Sequence, residues 1–332
     1  MTPLAPNETV IGDHVAAALG FLRADPSELM AGHPDHTFLP ALDRLLRWQE
    51  AGADTAVFHG GVYSVRCRYA ELGLSELLPL QRVLLGAQSR RKGAFGGFHH
   101  LDQGYRHLQM YAVVTMHGAM ESDTPQRPEL ALLDLLRAYA HDCLHYGSRR
   151  RYISVGGKPA RTQYGINFRR PSGQPYSATD SQGSPHTRNL GIVMEGACDR
   201  EARRITRETA VRAGFTEPDD ALGRLAFRDM TGALTDEDVT AEPAEAHEGE
   251  AAGYVERLRR YEMGVNRRYA FFLTEFAPGE EEDLHDLLLA AVISGDTRGL
   301  SAWLDARHGP GTFAGVFLSG AYFQPADLGL SA

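Results

Sequence analysis

Two histidines lie four residues apart in the stretch Ala140-His141-Asp142-Cys143-Leu144-His145-Tyr146. The stretch ends a run that begins near Pro128 and in which leucines and alanines recur at helical spacing. Residues four apart lie on the same face of a helix, one turn above the other. The sequence therefore predicts a helix on which His141 and His145 stand side by side, where both imidazoles can bind one metal ion.

A second helical run carries two carboxylates at the same spacing. It extends from Asn189 to Arg212 and contains Glu195 and Asp199. Zinc in catalytic sites takes three protein ligands and leaves a fourth position for water. Two histidines on one helix and a carboxylate from another meet that number. Bound zinc lowers the pKa of such a water, and a neighbouring carboxylate can accept its proton.

The two motifs together resemble those of the gluzincin class of zinc metallopeptidases, whose pattern is H-E-x-x-H on one helix and E-x-x-x-D on a later helix. The resemblance covers about residues 130–210. It implies that His141, His145 and Glu195 are the zinc ligands. It also implies that Asp199 accepts a hydrogen bond from a ligand histidine and fixes its tautomer.

The chain departs from the gluzincin pattern at Asp142, where the family has glutamate. Aspartate is one methylene shorter, so its carboxylate stands roughly 1–1.5 Å further from a metal-bound water. A general base works at about 2.6–3.2 Å from the proton donor or through one bridging water. The resemblance therefore supports metal binding more strongly than peptidase activity. A zincin with a different reaction and a non-catalytic metal-binding relative both remain alternatives.

A rival interpretation also uses a metal. The sequence His141-Asp142 resembles the HD phosphohydrolase superfamily, whose pattern is a histidine, an HD pair and a distant aspartate. His117, His141-Asp142 and Asp199 have suitable spacing. That superfamily is all helical, whereas the alternating run before His117 predicts a strand. We therefore rank it second among the metal-site interpretations, and a helix with ordinary polar side chains and no metal is the alternative without a metal.

The segment from 148 to 190 is predicted to form a long loop that contacts the substrate, because loops of this length inside a compact domain are usually functional or mobile. Hydroxyl and imidazole donors in or beside it could stabilise a developing oxyanion, and its guanidinium groups could hold a carboxylate or phosphate. The candidate donors are Tyr146, Tyr152, Tyr164, Tyr176 and His186, and the arginines are Arg149, Arg150, Arg151, Arg161, Arg169, Arg170 and Arg188. We expect Asp142 to be the base, with Tyr146 and His186 as further catalytic residues.

Composition narrows the class of partner. The net charge of −9 and the pI near 5.9 argue against a nucleic-acid-binding protein. No apolar run approaches the roughly 18–20 residues of a membrane span, and no secretory signal is visible. Three cysteines without a C-x-x-C pair predict buried thiols. We expect a cytoplasmic zinc enzyme that acts on a small-molecule or peptide substrate, including anionic ones, without nucleic acid or membrane partners; its oligomeric state is left open.

The expected fold is α+β, with a zincin-like core, a small and partly antiparallel sheet from about 55–117, the pair of site helices and a helical C-terminal lobe. Within the sheet region we predict strands at 55–58 and 62–69 around a Gly60-Gly61 turn, and a further strand at 107–117 where apolar residues alternate with others. Apolar residues at helical spacing predict a helix at 75–91. The expected domains are a metal-binding catalytic core at 1–234, an acidic linker at 235–252 and a helical lobe at 253–332.

Overall fold

The computed structural model describes residues 8–11, 36–80, 83–89, 98–99, 106–108, 126–172, 174–181, 183–240 and 250–318. These residues form an α+β fold that is mostly helical. The helices are α1 (Ala41–Glu50), α2 (Ala56–Glu71), α3 (Pro128–Gly147), α4 (Leu190–Arg212), α5 (Ala221–Thr231), α6 (Asp236–Thr240), α7 (Glu250–Tyr261), α8 (Arg267–Phe276), α9 (Glu281–Ser294), α10 (Arg298–His308) and α11 (Thr312–Phe317), with a π-helical turn at Glu262–Asn266.

The strands form two sheets of four. They are β1 (Glu8–Ile11), β2 (His36–Pro40), β3 (Val83–Ser89), β4 (Phe98–His99), β5 (Arg106–Leu108), β6 (Arg150–Val155), β7 (Lys158–Tyr164) and β8 (Asn167–Phe168). One sheet has the order β1-β6-β7-β8, and each of its pairs is antiparallel. The other has the order β2-β3-β5-β4 and contains a parallel pair, β3 with β5.

The chain divides into two compact units. The first comprises Met1–Leu19, Ser148–Cys198 and Met263–Ala332, and it contains the antiparallel sheet and helices α8 to α11. Phe272, Phe276 and Phe317 form an aromatic cluster in its core, with ring centroids 4.8 and 5.7 Å apart. The turn between β7 and β8 packs on α4, because a Cβ on Gly165 would lie only 2.7 Å from the sulfur of Met194.

The second unit comprises Gly20–Gly147 and Asp199–Glu262, and helix α3 is its most buried element. Helix α2 packs against α3 at Gly61, where an added Cβ would overlap with the side chain of Leu136. The Tyr69 hydroxyl donates to the Cys143 carbonyl, and the Tyr139 hydroxyl donates to the Leu78 carbonyl at 2.6 Å. On its other side α3 joins a hydrophobic cluster with α4, α5 and α7: Leu130, Leu133, Ala210, Leu225, Ala226, Met230, Tyr254, Val255 and Leu258.

Both site helices are confirmed, since the predicted helical runs at 126–145 and 189–212 correspond to α3 and α4. The predicted strands at 55–58 and 62–69 are wrong, because this segment is the single helix α2. Its buried residues Phe58, Val65 and Tyr69 recur at helical spacing, and the apparent turn residue Gly61 lies inside the helix at the contact with α3.

The predicted helix at 75–91 is also wrong, because Val83–Ser89 is strand β3. A short apolar run does not distinguish a buried strand from a buried helix, and pairing with β2 and β5 decides the outcome here. The predicted strand at 107–117 overlaps β5 only at its start, and its remainder lies outside the described residues. The predicted loop contains β6, β7 and β8.

The C-terminal region is helical as expected, with Gly295 ending α9 in a left-handed conformation at φ 70°. Gly299 lies within α10, and the segment after Gly309 contains α11. In the acidic segment 235–252 the described residues form α6 and the start of α7. Among the described residues no helix has both the length and the apolar character that crossing a membrane requires.

Candidate metal centre

Helices α3 and α4 bring three predicted ligands together. His141 and His145 are neighbours on α3, with ring centroids 4.6 Å apart, and Glu195 lies in the second turn of α4. One donor atom from each of the three side chains lies within 4.8 Å of the other two. His145 is buried, whereas His141 and Glu195 are half-buried.

The donor set suits zinc. Two imidazole nitrogens and one carboxylate oxygen are the ligands of many catalytic zinc sites, and a bond length near 2.0–2.1 Å places tetrahedral donors about 3.3 Å apart. The donor atoms here all lie within 4.8 Å of one another. The three residues are therefore a candidate site for a single ion with three protein ligands.

Asp199 stands one helical turn after Glu195 and approaches the first ligand. Its Oδ1 lies 3.5 Å from Nδ1 of His141, and its side chain is almost fully buried. A carboxylate in this position favours the tautomer in which Nδ1 carries the proton and Nε2 is left as the metal donor. The structure thus brings Asp199 to the place that the resemblance implies.

Two arginines hold Asp199 from either side. The Arg137 Nη1 donates to Oδ1 at 2.9 Å, and the Arg203 Nε lies 2.9 Å from Oδ2. Burial alone would raise the pKa of the Asp199 carboxyl, but Arg203 and Arg137, with a smaller contribution from His141, hold this pKa well below its usual range. Asp199 is therefore a fixed negative charge beside the histidine.

The arginines belong to a larger buried network. Arg203 also pairs with Asp229 at 2.6 Å and with Glu262 at 2.9 Å. Burial raises the pKa of Asp229 despite the nearby arginines. Burial likewise raises the pKa of Asp134 to about 6, although Arg137 opposes this shift.

Sequence reasoning missed both arginines. Arg137 precedes His141 by one helical turn, and Arg203 follows Asp199 by one turn. The same four-residue spacing that identified the ligands therefore contained the signal. Their importance was hidden because a chain with 34 lysines and arginines offers many such pairs.

The remaining predicted site residues have different surroundings. Asp142 is buried directly after His141, and Tyr146 is half-buried in the last turn of α3. His186 contacts α8: its Nδ1 is 3.5 Å from Glu275, and its ring packs edge-on against Phe271. Its described contacts are therefore with α8, and a role in catalysis stays a prediction. Cys143 and Cys198 are buried thiols, as expected, whereas Cys67 is exposed.

Comparison with protein-family models, with curated proteins and with solved structures gives no match. The functional assignment of the centre therefore depends on the chemistry and geometry of its own residues. The roles of Asp199 and of the two arginines around it likewise depend on the contacts described above.

Proposed function

We propose that this chain is a zinc-dependent hydrolase of the zincin type that cleaves an amide or peptide bond. The observation that carries the proposal is that donor atoms of Glu195 and of His141 and His145, which precede it by 50 residues or more, lie within 4.8 Å of one another. When bound, zinc supplies a water of lowered pKa and polarises the carbonyl of the scissile bond. The zincin-like core is part of the same proposal.

The chain's own residues divide the remaining work. His141, His145 and Glu195 hold the ion, and Asp199 keeps the His141 ring in one orientation and tautomer. Asp142 follows His141 on α3 and is the candidate base that accepts the proton of the attacking water. Tyr146 and His186 are the candidate donors to the oxyanion.

The HD phosphohydrolase is the second candidate, and the proximity of Asp199 to His141 is the observation in its favour. In that reading Asp199 would be a metal ligand. However, Arg137 already donates to its Oδ1 at 2.9 Å, and Arg203 forms an ion pair with its Oδ2. A carboxylate so engaged suits the support of a ligand better than ligation itself. His117, the other residue that the reading needs, lies outside the described residues.

Metal analysis of the purified full-length chain tests the first proposal. We expect about one equivalent of zinc, which Glu195→Gln removes because an amide oxygen is a much weaker ligand than a carboxylate. Glu208→Gln is the matched control, since Glu208 lies on the same helix and its exposed carboxylate pairs with Arg204 at 3.0 Å. Zinc retained by the Glu195 variant would refute the site. Two bound metals that survive Glu195→Gln but not Asp199→Asn would favour the phosphohydrolase.

Turnover separates a hydrolase from a non-catalytic metal-binding relative. Assayed on peptides and acyl amides, Asp142→Asn should keep the zinc and lose about 100-fold or more in rate, which is the usual contribution of a general base. An unchanged rate would assign the base to another residue. Zinc-loaded wild type without turnover on any amide would leave the non-catalytic relative as the answer.

A further inference from the structure

A segment of the first unit is strongly basic in an otherwise acidic protein. From Ser148 to Thr179 the chain has no aspartate or glutamate, yet it contains seven of the 34 lysines and arginines. The net charge of the whole chain is −9, so positive charge is concentrated in this segment. The seven are Arg149, Arg150, Arg151, Lys158, Arg161, Arg169 and Arg170. Strands β6, β7 and β8 lie within it.

Strand register assigns three of these arginines to one face of the sheet. The Gly165 N–H donates to the Arg149 carbonyl at 2.7 Å, which continues the β6–β7 ladder by one residue. Arg149 and Arg151 therefore share a face, because alternate residues of a strand point the same way. Arg151 is paired with Gln163, and Gln163 with Phe168. Arg170, two residues after Phe168, completes the arginine face of Arg149, Arg151 and Arg170.

These three guanidinium groups differ from others in the same unit. Arg188 pairs with Glu275 at 2.5 Å, and Arg268 pairs with Asp180 at 3.1 Å. Within the described part of the chain, the arginine face makes no ion pair with a carboxylate. Arg149 and Arg170 are exposed and Arg151 is half-buried. Their forked donors are available to a carboxylate or phosphate, which arginine binds in bidentate fashion.

A chain of contacts links the arginine face to Met194, the residue before a proposed metal ligand. Gly165 stands opposite Arg149, and a Cβ on Gly165 would come within 2.7 Å of the sulfur of Met194, the residue before Glu195. The Arg149 side chain has a specific place there. Gly295 has φ +70°, and a Cβ on it would approach the Cβ of Arg149 to 2.8 Å, so this glycine makes room for the arginine.

We propose that the arginine face binds an anionic group of the substrate, so that the amide cleaved by this enzyme carries a phosphate or a carboxylate. The assignment of this group to a substrate rests on the proposed function, whereas anion binding at the arginines does not need the metal. Both anions offer paired oxygens to the same guanidinium fork. Arg149 is the nearest of the three to Glu195 along these contacts and is the main anchor.

Anion binding to the full-length chain tests the inference, with inorganic phosphate and succinate as the two probes. Calorimetric titration is done on zinc-loaded and on EDTA-treated protein. We expect Arg149→Gln/Arg151→Gln to weaken binding of the tighter probe by about tenfold or more in both forms, as loss of a charged hydrogen bond does. Arg298→Gln is the matched control, because Arg298 is a highly exposed arginine of the same unit and its loss changes the net charge equally per residue. It should change binding less than twofold.

The two proposals fail in different ways. Binding that requires zinc and is insensitive to the double variant would place the anion on the metal and overturn the arginine face, while leaving the metal centre intact. Binding that persists in Glu195→Gln protein without zinc, and falls in the double variant, would support the arginine face even if hydrolysis is never found. The probe that binds with the higher affinity identifies the charged group of the substrate as a phosphate or a carboxylate. Circular dichroism of each variant checks that these surface changes leave the fold unaltered.

Discussion

Arg203 offers the sharpest test of the buried network, because one guanidinium neutralises three carboxylates. It is 7% exposed and lies 2.9 Å from Asp199, 2.6 Å from Asp229 and 2.9 Å from Glu262. Arg203→Met keeps an unbranched apolar stem and removes the charge. Asp229 and Glu262 then lose their ion pairs with Arg203, and Asp199 keeps Arg137 at 2.9 Å.

The destabilisation expected for Arg203→Met follows from the burial of these charges. Each close charge pair is worth on the order of 4 kcal/mol at an effective dielectric of about 20, and desolvation of both partners offsets much of this sum. Breaking a buried pair by removing one partner typically costs about 3–5 kcal/mol, because the remaining charge is stranded. At a typical m-value of about 1–3 kcal/mol per M, the urea midpoint should fall by roughly 1 M or more.

The stability lost in Arg203→Met should also depend on pH. In the wild type the pKa of Asp199 is lowered from 3.8, so its contribution to stability is present above that value and is lost as pH falls towards the folded-state pKa. Without Arg203 the stronger of the two arginine charges that lower this pKa is gone, and the clustered carboxylates take up protons more readily. The deficit of Arg203→Met should therefore be largest near pH 8 and smaller near pH 5.

Urea unfolding of EDTA-treated protein at both pH values measures this effect without contributions from metal. Arg127→Gln is the matched control, since Arg127 pairs with Asp220 at the surface with side chains 40% and 45% exposed. Such a pair contributes within about 1 kcal/mol. If Arg203→Met unfolds within about 0.3 M urea of the wild type at both pH values, the carboxylates around it are not buried and charged, and the reasoning fails.

Three further perturbations test other parts of the structure. Gly61→Ala should lower the free energy of unfolding by about 1–3 kcal/mol, because the added methyl group overlaps with Leu136. Gly60→Ala, which has open space on the same helix, should raise it by up to about 1 kcal/mol. Urea midpoints that move alike in the two variants would refute the α2–α3 contact. The pKa of Asp134 is raised from 3.8 to about 6, so the folded state binds this proton more tightly and wild-type stability should decline between those pH values. The urea midpoint of Asp134→Asn should not show that decline from pH 4 to 7. If the midpoints of wild type and variant change in parallel with pH, the raised pKa of Asp134 is contradicted. Chelation should lower the thermal midpoint of wild type reversibly, with recovery on added zinc that Glu195→Gln does not show.

The ligand helices could be predicted from sequence because their information is local. In α3 and α4 both the apolar residues and the chemically active ones repeat every three or four positions, so one pattern fixes the element and the face. The convergence of His145 and Glu195, fifty residues apart, follows from no local pattern. Only the resemblance to a two-helix zinc motif suggested it, and the structure supplies the distance.

The errors lie where tertiary contacts outweigh local signals. Gly60-Gly61 is typical of a hairpin turn, yet helix α2 contains both because Gly61 allows close packing on Leu136. The leucine-rich segment that becomes β3 has helix-forming residues, and its pairing with β2 and β5 determines a strand instead. Neither partner is identifiable from the segment itself, so the sequence pattern alone favoured the wrong element.

The proposed metal site gives the buried charges a role that stability alone does not. Replacing a buried ion-pair network with apolar residues of similar volume is often neutral or stabilising, so such a network is a weak source of folding free energy. Here the network ends at Asp199, whose Oδ1 faces both Arg137 and His141. An aspartate buried this deeply would become neutral without cationic partners, and a neutral carboxyl would no longer favour the proton on Nδ1 of the histidine. Arg137 and Arg203 thus keep Asp199 charged where a metal ligand needs an anion behind it, and this requirement accounts for their position one helical turn from His141 and from Asp199.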